Sequence, residues 1–410
     1  MNSFILPNIN IPNIHDKINL TVTDFEIEGV ISRMLNSYLN KIKIQIDNNQ
    51  DKWDNYKKYT NTYEYIHTVV PNSKQSVCTL KPLSRSYYKM IELCNNFDII
   101  NDLPTGCKTF HLAEGPGGFI EAIVSLRNSR SDIYYGMTLI DNDVNVPGWK
   151  KSNNFLKLNP NVVIESGADN TGNLLNRENL EYCFKKYNNN IDLITADGGF
   201  DFSNDFNKQE ISSLKLIYTQ VCYAMAMQKK NGTFILKVFD LFTEFSLDIL
   251  FLLCCLYKKV NIVKPNTSRL ANSEKYIVCK DFKLENSNII LYEILKSFDY
   301  LNTSTNLRRI FNFDIPYYFI NKVEDCNSIF GQIQIENISS TLNLIDNYRT
   351  DKIESLKKYN ISKCVSWCQK YNLPYNARIN TINQFLINRS DNKQNKTDVI
   401  DNANSDSDNC

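Results

Sequence analysis

Histidine is nearly missing from this 410-residue chain: His15, His67 and His111 are all there is, which excludes a histidine-rich metal centre. Net charge is nearly missing too, since 46 Lys+Arg against 45 Asp+Glu leave +1. That excludes a uniformly basic, histone-like binder; an anionic partner must be held by a local basic surface. Long apolar runs are absent. The longest, 249–257, falls well short of the about 20 residues that span a bilayer. No basic segment followed by a long apolar stretch opens the chain, so no secretory signal is expected. A soluble, intracellular protein is expected. Cysteine is plentiful at twelve, but irregularly spaced and mostly set in apolar runs such as Cys254-Cys255 and Cys279, as buried thiols are. Cys364-x-x-x-Cys368 has no second pair nearby, and no metal is expected.

What is present is core-forming material. Hydrophobic residues make up 42% and aromatics 12%, which excludes wholesale disorder. At roughly 100–200 residues per domain, two or three domains are expected. Residues 1–80 are polar and Asn-rich, with one helix expected near 26–44, and read as an N-terminal extension. From about residue 81 to 285 short apolar strands alternate with amphipathic helices. Strands are expected at 109–113, 133–139, 162–165, 191–196, 233–239, 260–263 and 276–279. Helices are expected at 118–127, 177–187, 210–229 and 246–257. This alternation implies an α/β fold with a doubly wound sheet. Residues 286–387 are expected to be a mostly helical extension, and 388–410, rich in Asn, Asp, Ser and Lys, a disordered tail.

Two features carry chemistry. Ala113-Glu114-Gly115-Pro116-Gly117-Gly118-Phe119 follows the first strand of the α/β region and opens a helix. Glycines there let the backbone approach a ligand closely, though an ordinary strand–helix loop reads the same way. The turn is neither GxGxxG nor a P-loop, which disfavours a pyrophosphate. It suits S-adenosylmethionine, which has no phosphate. The second feature is charge at strand ends. Asp197 ends a strand in Thr-Ala-Asp-Gly-Gly-Phe, Lys237 sits inside the apolar run 234–239, and Glu274 precedes another strand. The carboxyl ends of such strands form the ligand crevice. A lysine in an apolar strand is costly unless paired, functional or able to snorkel to solvent. Lys89, in Ser84-Arg85-Ser86-Tyr87-Tyr88-Lys89, is by itself compatible with a solvated helix residue.

Together these stretches resemble the FtsJ-like RNA 2′-O-methyltransferases, most closely the cap-specific mRNA enzymes of eukaryotes and large DNA viruses. The resemblance runs through Ser84–Lys89, His111–Phe119, 195–200, 234–245 and Lys264-Pro-x-x-Ser-Arg-x-x-Asn-Ser-Glu274-x-Tyr-x-Val-Cys279, in family order. It implies a Rossmann-like methyltransferase fold with a mixed sheet, S-adenosylmethionine as cofactor, and a catalytic tetrad of Lys89, Asp197, Lys237 and Glu274. It also implies cofactor contacts from Ser84, Ala113, Glu114, Gly115, Pro116, Gly117, Gly118, Phe119, Asn173, Leu174 and Asp197. Many members carry an acidic residue where this chain has Asn173; Asp141 and Asp169 are the alternatives for that contact. Substrate contacts would come from Lys57, Asn207, Lys208, Gln209 and Glu274, with Trp53, Tyr56 and Tyr63 available for stacking. The implied substrate is the ribose 2′-OH of the first transcribed nucleotide of capped mRNA. The second nucleotide, ribosomal RNA, tRNA, or a catalytically silent subunit of a capping assembly are the alternatives. Implied partners are capped mRNA, other capping enzymes or RNA polymerase, and no membrane. The implied location is the cytoplasm, a virion or viral factory for a viral protein, or the nucleus.

Overall fold

The computed structural model describes residues 1–141, 143, 146–199 and 206–377; the tail expected at 388–410 lies outside the described residues. Ten strands occur among them: β1 (Asn2–Leu6), β2 (Ile18–Thr23), β3 (Lys108–Leu112), β4 (Ile133–Met137), β5 (Val162–Ile164), β6 (Ile191–Ala196), β7 (Gln228–Val238), β8 (Tyr257–Lys264), β9 (Lys275–Phe282) and β10 (Asn306–Phe311). Eight build one sheet in the order β1-β8-β9-β7-β6-β3-β4-β5, and β2 with β10 forms a separate ribbon. Strands β5, β4, β3, β6 and β7 run parallel. β9 lies antiparallel between β7 and β8, and β1 adds an antiparallel edge to β8.

Parallel neighbours require crossovers, and here helices cover both faces of the sheet. Side chains alternate between those faces. Ile194 and Phe234 pack with the helices Gln209–Met227 and Glu244–Leu256. Their neighbours Leu193 and Ile235 pack with Ser86–Asn96 and Gly118–Arg127 on the other side. A third cluster, including Leu39, Trp53, Phe242 and Ile338, joins the helices Arg33–Asp47, Gln50–Thr60 and Tyr317–Asp346 to the rest. Strand order reverses between β3 and β6, and this switch point opens a crevice at the carboxyl ends of the strands.

The first helix differs from the 26–44 expected, since it runs Arg33–Asp47. Residues just before it dock on the chain after β7. Ile31 N–H donates to the Phe242 carbonyl at 2.8 Å. A Cβ on Gly29 would come within 2.8 Å of the Phe242 Cβ. That close approach, followed by Ser32 at φ +51°, holds the chain out of helical geometry until Arg33. Among the described residues no helix is long and apolar enough to cross a membrane.

Candidate active site

The parallel ladder places the first two charges. Leu112 of β3 pairs with Ala196 of β6, so the turn from Ala113 and the carboxylate of Asp197 emerge side by side at the switch point. Ala196 in turn pairs with Leu236 of β7, which brings the next residue, Lys237, beside Asp197. The lysine Nζ donates to the Asp197 carbonyl at 2.8 Å and lies 3.3 Å from its Oδ1. Both side chains are 12% exposed, so snorkelling to solvent does not describe Lys237.

The antiparallel ladder adds the rest. Lys237 stands directly opposite Tyr276 of β9, whose hydroxyl donates to Asp197 Oδ1 at 2.9 Å. Glu274, just ahead of β9, forms a 2.6 Å ion pair with Lys89 from the helix Ser86–Asn96. The Lys89 ammonium also reaches the Tyr276 hydroxyl at 3.4 Å. All four charged residues expected from the sequence are therefore brought together, with Tyr276 bridging the two pairs. Burial works against the Glu274 carboxylate, but Lys89 and Lys237 outweigh it and hold Glu274 well below the usual carboxylate range. Burial likewise pulls the Lys89 ammonium down, and Glu274 opposes it. A charge-assisted hydrogen bond in so dry a setting fixes both side chains in place.

Glu274 is aimed by the loop that carries it. Ser268 Oγ donates to Glu274 Oε1 at 2.9 Å, and buried Lys264 donates to the Glu274 carbonyl at 2.9 Å. Glu92 accepts the amides of Asn266 and Thr267, both at 2.8 Å. Arg269 forks onto Glu64 with contacts of 3.0 and 2.7 Å, and Asn61 Oδ1 accepts the Leu270 amide. Residues of the N-terminal extension thus hold the loop that holds Glu274.

The glycine turn is bounded by protein on several sides. Ala113 sits at φ +52° and Gly117 at φ +104°, both in the left-handed region. A Cβ on Gly118 would come 2.2 Å from the hydroxyls of Ser84 and Ser86, which brings Ser84 against the turn as expected. Phe119 and Glu114, expected at the cofactor, turn their side chains inward. The Phe119 ring packs on Tyr276 with full burial. Glu114 accepts from the Ile120 amide at 2.8 Å and Thr195 Oγ1 at 3.2 Å and faces His111 at 3.1 Å. Only their backbones are left for a ligand. Across the crevice Asn173 Oδ1 accepts the Leu175 amide and Leu174 is buried. The Asp169 carboxylate is consumed by Thr171, Asn176 and Asn179. Asp141 is exposed beyond β4, where its Oδ1 accepts the Asp143 amide at 2.8 Å.

A second opening, of 110 Å³, lies between the N-terminal helices and the Glu274 loop. It is lined by Lys57 and Gln209, two expected substrate contacts, with Arg269 and Asn272. Gln209 Oε1 is held by Ser273 Oγ at 2.7 Å, whereas Lys208 is exposed on the short turn Phe206–Lys208 that also carries Asn207. Trp53 lines this cleft too but is only 6% exposed, and Tyr56 packs edge-on against Tyr59 and Tyr348. Trp53 is thus committed to the third apolar cluster and Tyr56 packs against that cluster, while Tyr63, the third ring expected to stack, is half-buried. Sequence reasoning did not single out Tyr276, Arg85, Ser268 or the Glu64–Arg269 pair; the motif text around Glu274 was the one available signal for three of them.

The reversed strand order and the antiparallel β9 define a Rossmann-like sheet of mixed strand direction, with a charged array at its switch point. Residues 82–282 match the FtsJ-like methyltransferase family. It is 28% identical over 360 residues to cap-specific mRNA (nucleoside-2′-O-)-methyltransferase 2 of Danio rerio, covering 83% of this chain and 47% of the relative. Cap-specific mRNA (nucleoside-2′-O-)-methyltransferase 1 of Homo sapiens is 35% identical over 177 residues, covering 42% of this chain and 21% of that one. The chain thus spans about half the length, or less, of these curated relatives. A solved ribosomal RNA methyltransferase of Plasmodium falciparum overlays 49% of this chain and 98% of its own at 20% identity, with a TM-score of 0.35.

Proposed function

We propose that the chain transfers a methyl group from S-adenosylmethionine to the ribose 2′-OH of the first transcribed nucleotide adjoining the mRNA cap. The observation that carries this is the connected array Glu274–Lys89–Tyr276–Asp197–Lys237 beside the turn at 113–118. The likeness to the cap-specific enzymes supports the choice of substrate.

The residues present fit the cofactor. The left-handed backbone at Ala113 and Gly117 shapes a tight concave turn, and Asp197 beside it supplies the negative charge that a sulfonium favours. Ser84, the backbone of 113–119, Asn173 or Asp141, and Asp197 would hold it, and once bound it supplies the electrophilic methyl. The chain's own residues do the rest. Once deprotonated, Lys237 would give its two hydrogens to the Asp197 carbonyl and Oδ1 and turn its lone pair to the incoming 2′-OH proton. Asp197 fixes that orientation, and Tyr276 fixes Asp197. Lys89, locked by Glu274, presents its positive charge next to the oxygen as it gains negative charge. Holding the two reactants in line is itself worth roughly 7–11 kcal/mol. We place the cap side of the RNA at the cleft of Lys57, Gln209 and Arg269, with Asn207 and Lys208 at its edge.

The test compares capped and uncapped transcripts with labelled S-adenosylmethionine, using the parent and Lys237→Ala. Label transferred to the capped transcript by the parent alone is the expected outcome. Equal transfer to uncapped RNA would remove the cap from the proposal, and transfer by neither protein would leave a cofactor-binding subunit.

A further inference from the structure

A cavity of 400 Å³ opens beside the helix that carries Lys89, between the 67–81 segment and Ser84–Arg85. Its lining includes Lys74, Lys81, Arg85 and His67 and no carboxylate. Lys74 and Lys81 are exposed at the rim, and neither forms an ion pair among the described residues. Deeper in, Arg85 Nε and His67 Nε2 are buried without a hydrogen-bond partner. Arg85 commits Nη2 to the Thr267 carbonyl at 3.2 Å. Each such orphan is costly unless something satisfies it. The neighbouring carboxylates are not available for this: Glu64 is forked by Arg269, and Glu274 is paired with Lys89.

We propose that this cavity holds the phosphodiester backbone of the RNA where it continues beyond the nucleotide at Lys237. One phosphate sits against Arg85 and His67, and the next against Lys74 and Lys81. The assignment rests on the RNA reading above, and the placement of Arg85 supports it. Its guanidinium holds the Thr267 carbonyl, on the loop that carries Glu274, and also lines this cavity. A chain of phosphates suits this better than one small anion, because the lysines stand at an open rim and do not close over the inner pair.

Fluorescence anisotropy with a labelled single-stranded capped RNA of about 20 nucleotides tests this on the full chain. Lys74→Gln/Lys81→Gln is compared with Lys74→Arg/Lys81→Arg; both positions are exposed, so the fold is left in place. We expect the glutamine pair to weaken binding about ten-fold and to lower the salt slope by about 0.7, the contribution of the one single-strand phosphate that the two lysines share. The arginine pair should restore both. Unchanged affinity and slope in the glutamine pair would overturn the assignment. So would inorganic phosphate competing at the affinity of the RNA, which would make this a small-anion site. Binding is read here without methyl transfer. A protein inert on capped RNA whose glutamine pair still loses RNA binding keeps this cavity and loses the proposed reaction. A protein that methylates capped RNA while the glutamine pair binds unchanged does the reverse.

Discussion

At the residue scale, the account turns on what Lys237 does. Lys237→Ala should leave cofactor affinity within a few-fold of the parent and cut methyl transfer by about 10³-fold or more, read by single-turnover kinetics and calorimetry. Lys237→Arg should be almost as inactive, because a guanidinium stays protonated and has no lone pair for the 2′-OH proton. An arginine variant that kept much of the rate would make Lys237 an orienting cation. Tyr276→Phe keeps the ring but removes the hydroxyl that joins Lys89 to Asp197. A hydrogen bond to a charged group is worth about 1.5–3 kcal/mol, so turnover should fall roughly 10- to 100-fold with the fold intact. Lys237 was legible in the sequence because a charge inside an apolar strand is anomalous. Tyr276 was not, since tyrosine is ordinary in a strand, and its role exists only through its cross-strand position opposite Lys237.

At the scale of elements, the loop from Lys264 to Glu274 is the piece on which the site depends. Arg269 holds the Glu64 carboxyl at about 2 although burial alone would push it up. The sign follows: a carboxyl depressed on folding contributes stability above its unfolded value, and that contribution fades as pH falls from about 4.5 towards 2. The parent should therefore lose on the order of 2–3 kcal/mol over that window from this group, measured by denaturant titration at a series of pH values. Glu64→Gln should be less stable at neutral pH, because a half-buried guanidinium loses its counter-charge, and flatter across the acid window. Identical acid profiles for the two proteins would contradict this. None of it could be read from the sequence, since 205 residues separate the partners. The helices at 118–127 and 177–187 and the strand at 191–196 were legible to the residue, because local periodicity and their caps specify them. β1 was not: it is five residues long, and its partner, β8, lies some 250 positions away.

At the scale of the whole molecule, the segments flanking the family-matched region are parts of one structure. β1 forms an edge of the main sheet, Asn337 and Asn360 donate to the carbonyls of Thr60 and Tyr59, and Gln334 donates to Ala271 in the Glu274 loop. Trp53→Ala, at the centre of the third apolar cluster, should cost about 3–5 kcal/mol, seen as a lower denaturant midpoint. Ending the chain before Tyr317 should expose Leu39, Ile42 and Phe242 and give an aggregating product by size-exclusion chromatography. A monodisperse truncated chain with parental activity would show that these helices are dispensable.

The central claim is that a cap-proximal ribose receives the methyl group and that Lys237 takes its proton. Incubating capped and uncapped transcripts of one sequence with the protein and labelled S-adenosylmethionine, then digesting and weighing the 5′ fragments, reads this directly. The account expects one added methyl on the ribose of the first transcribed nucleotide, only in the capped transcript and only with Lys237 in place. Methyl on uncapped RNA to the same extent, on a base, or in the presence of Lys237→Arg at the parental rate would contradict it.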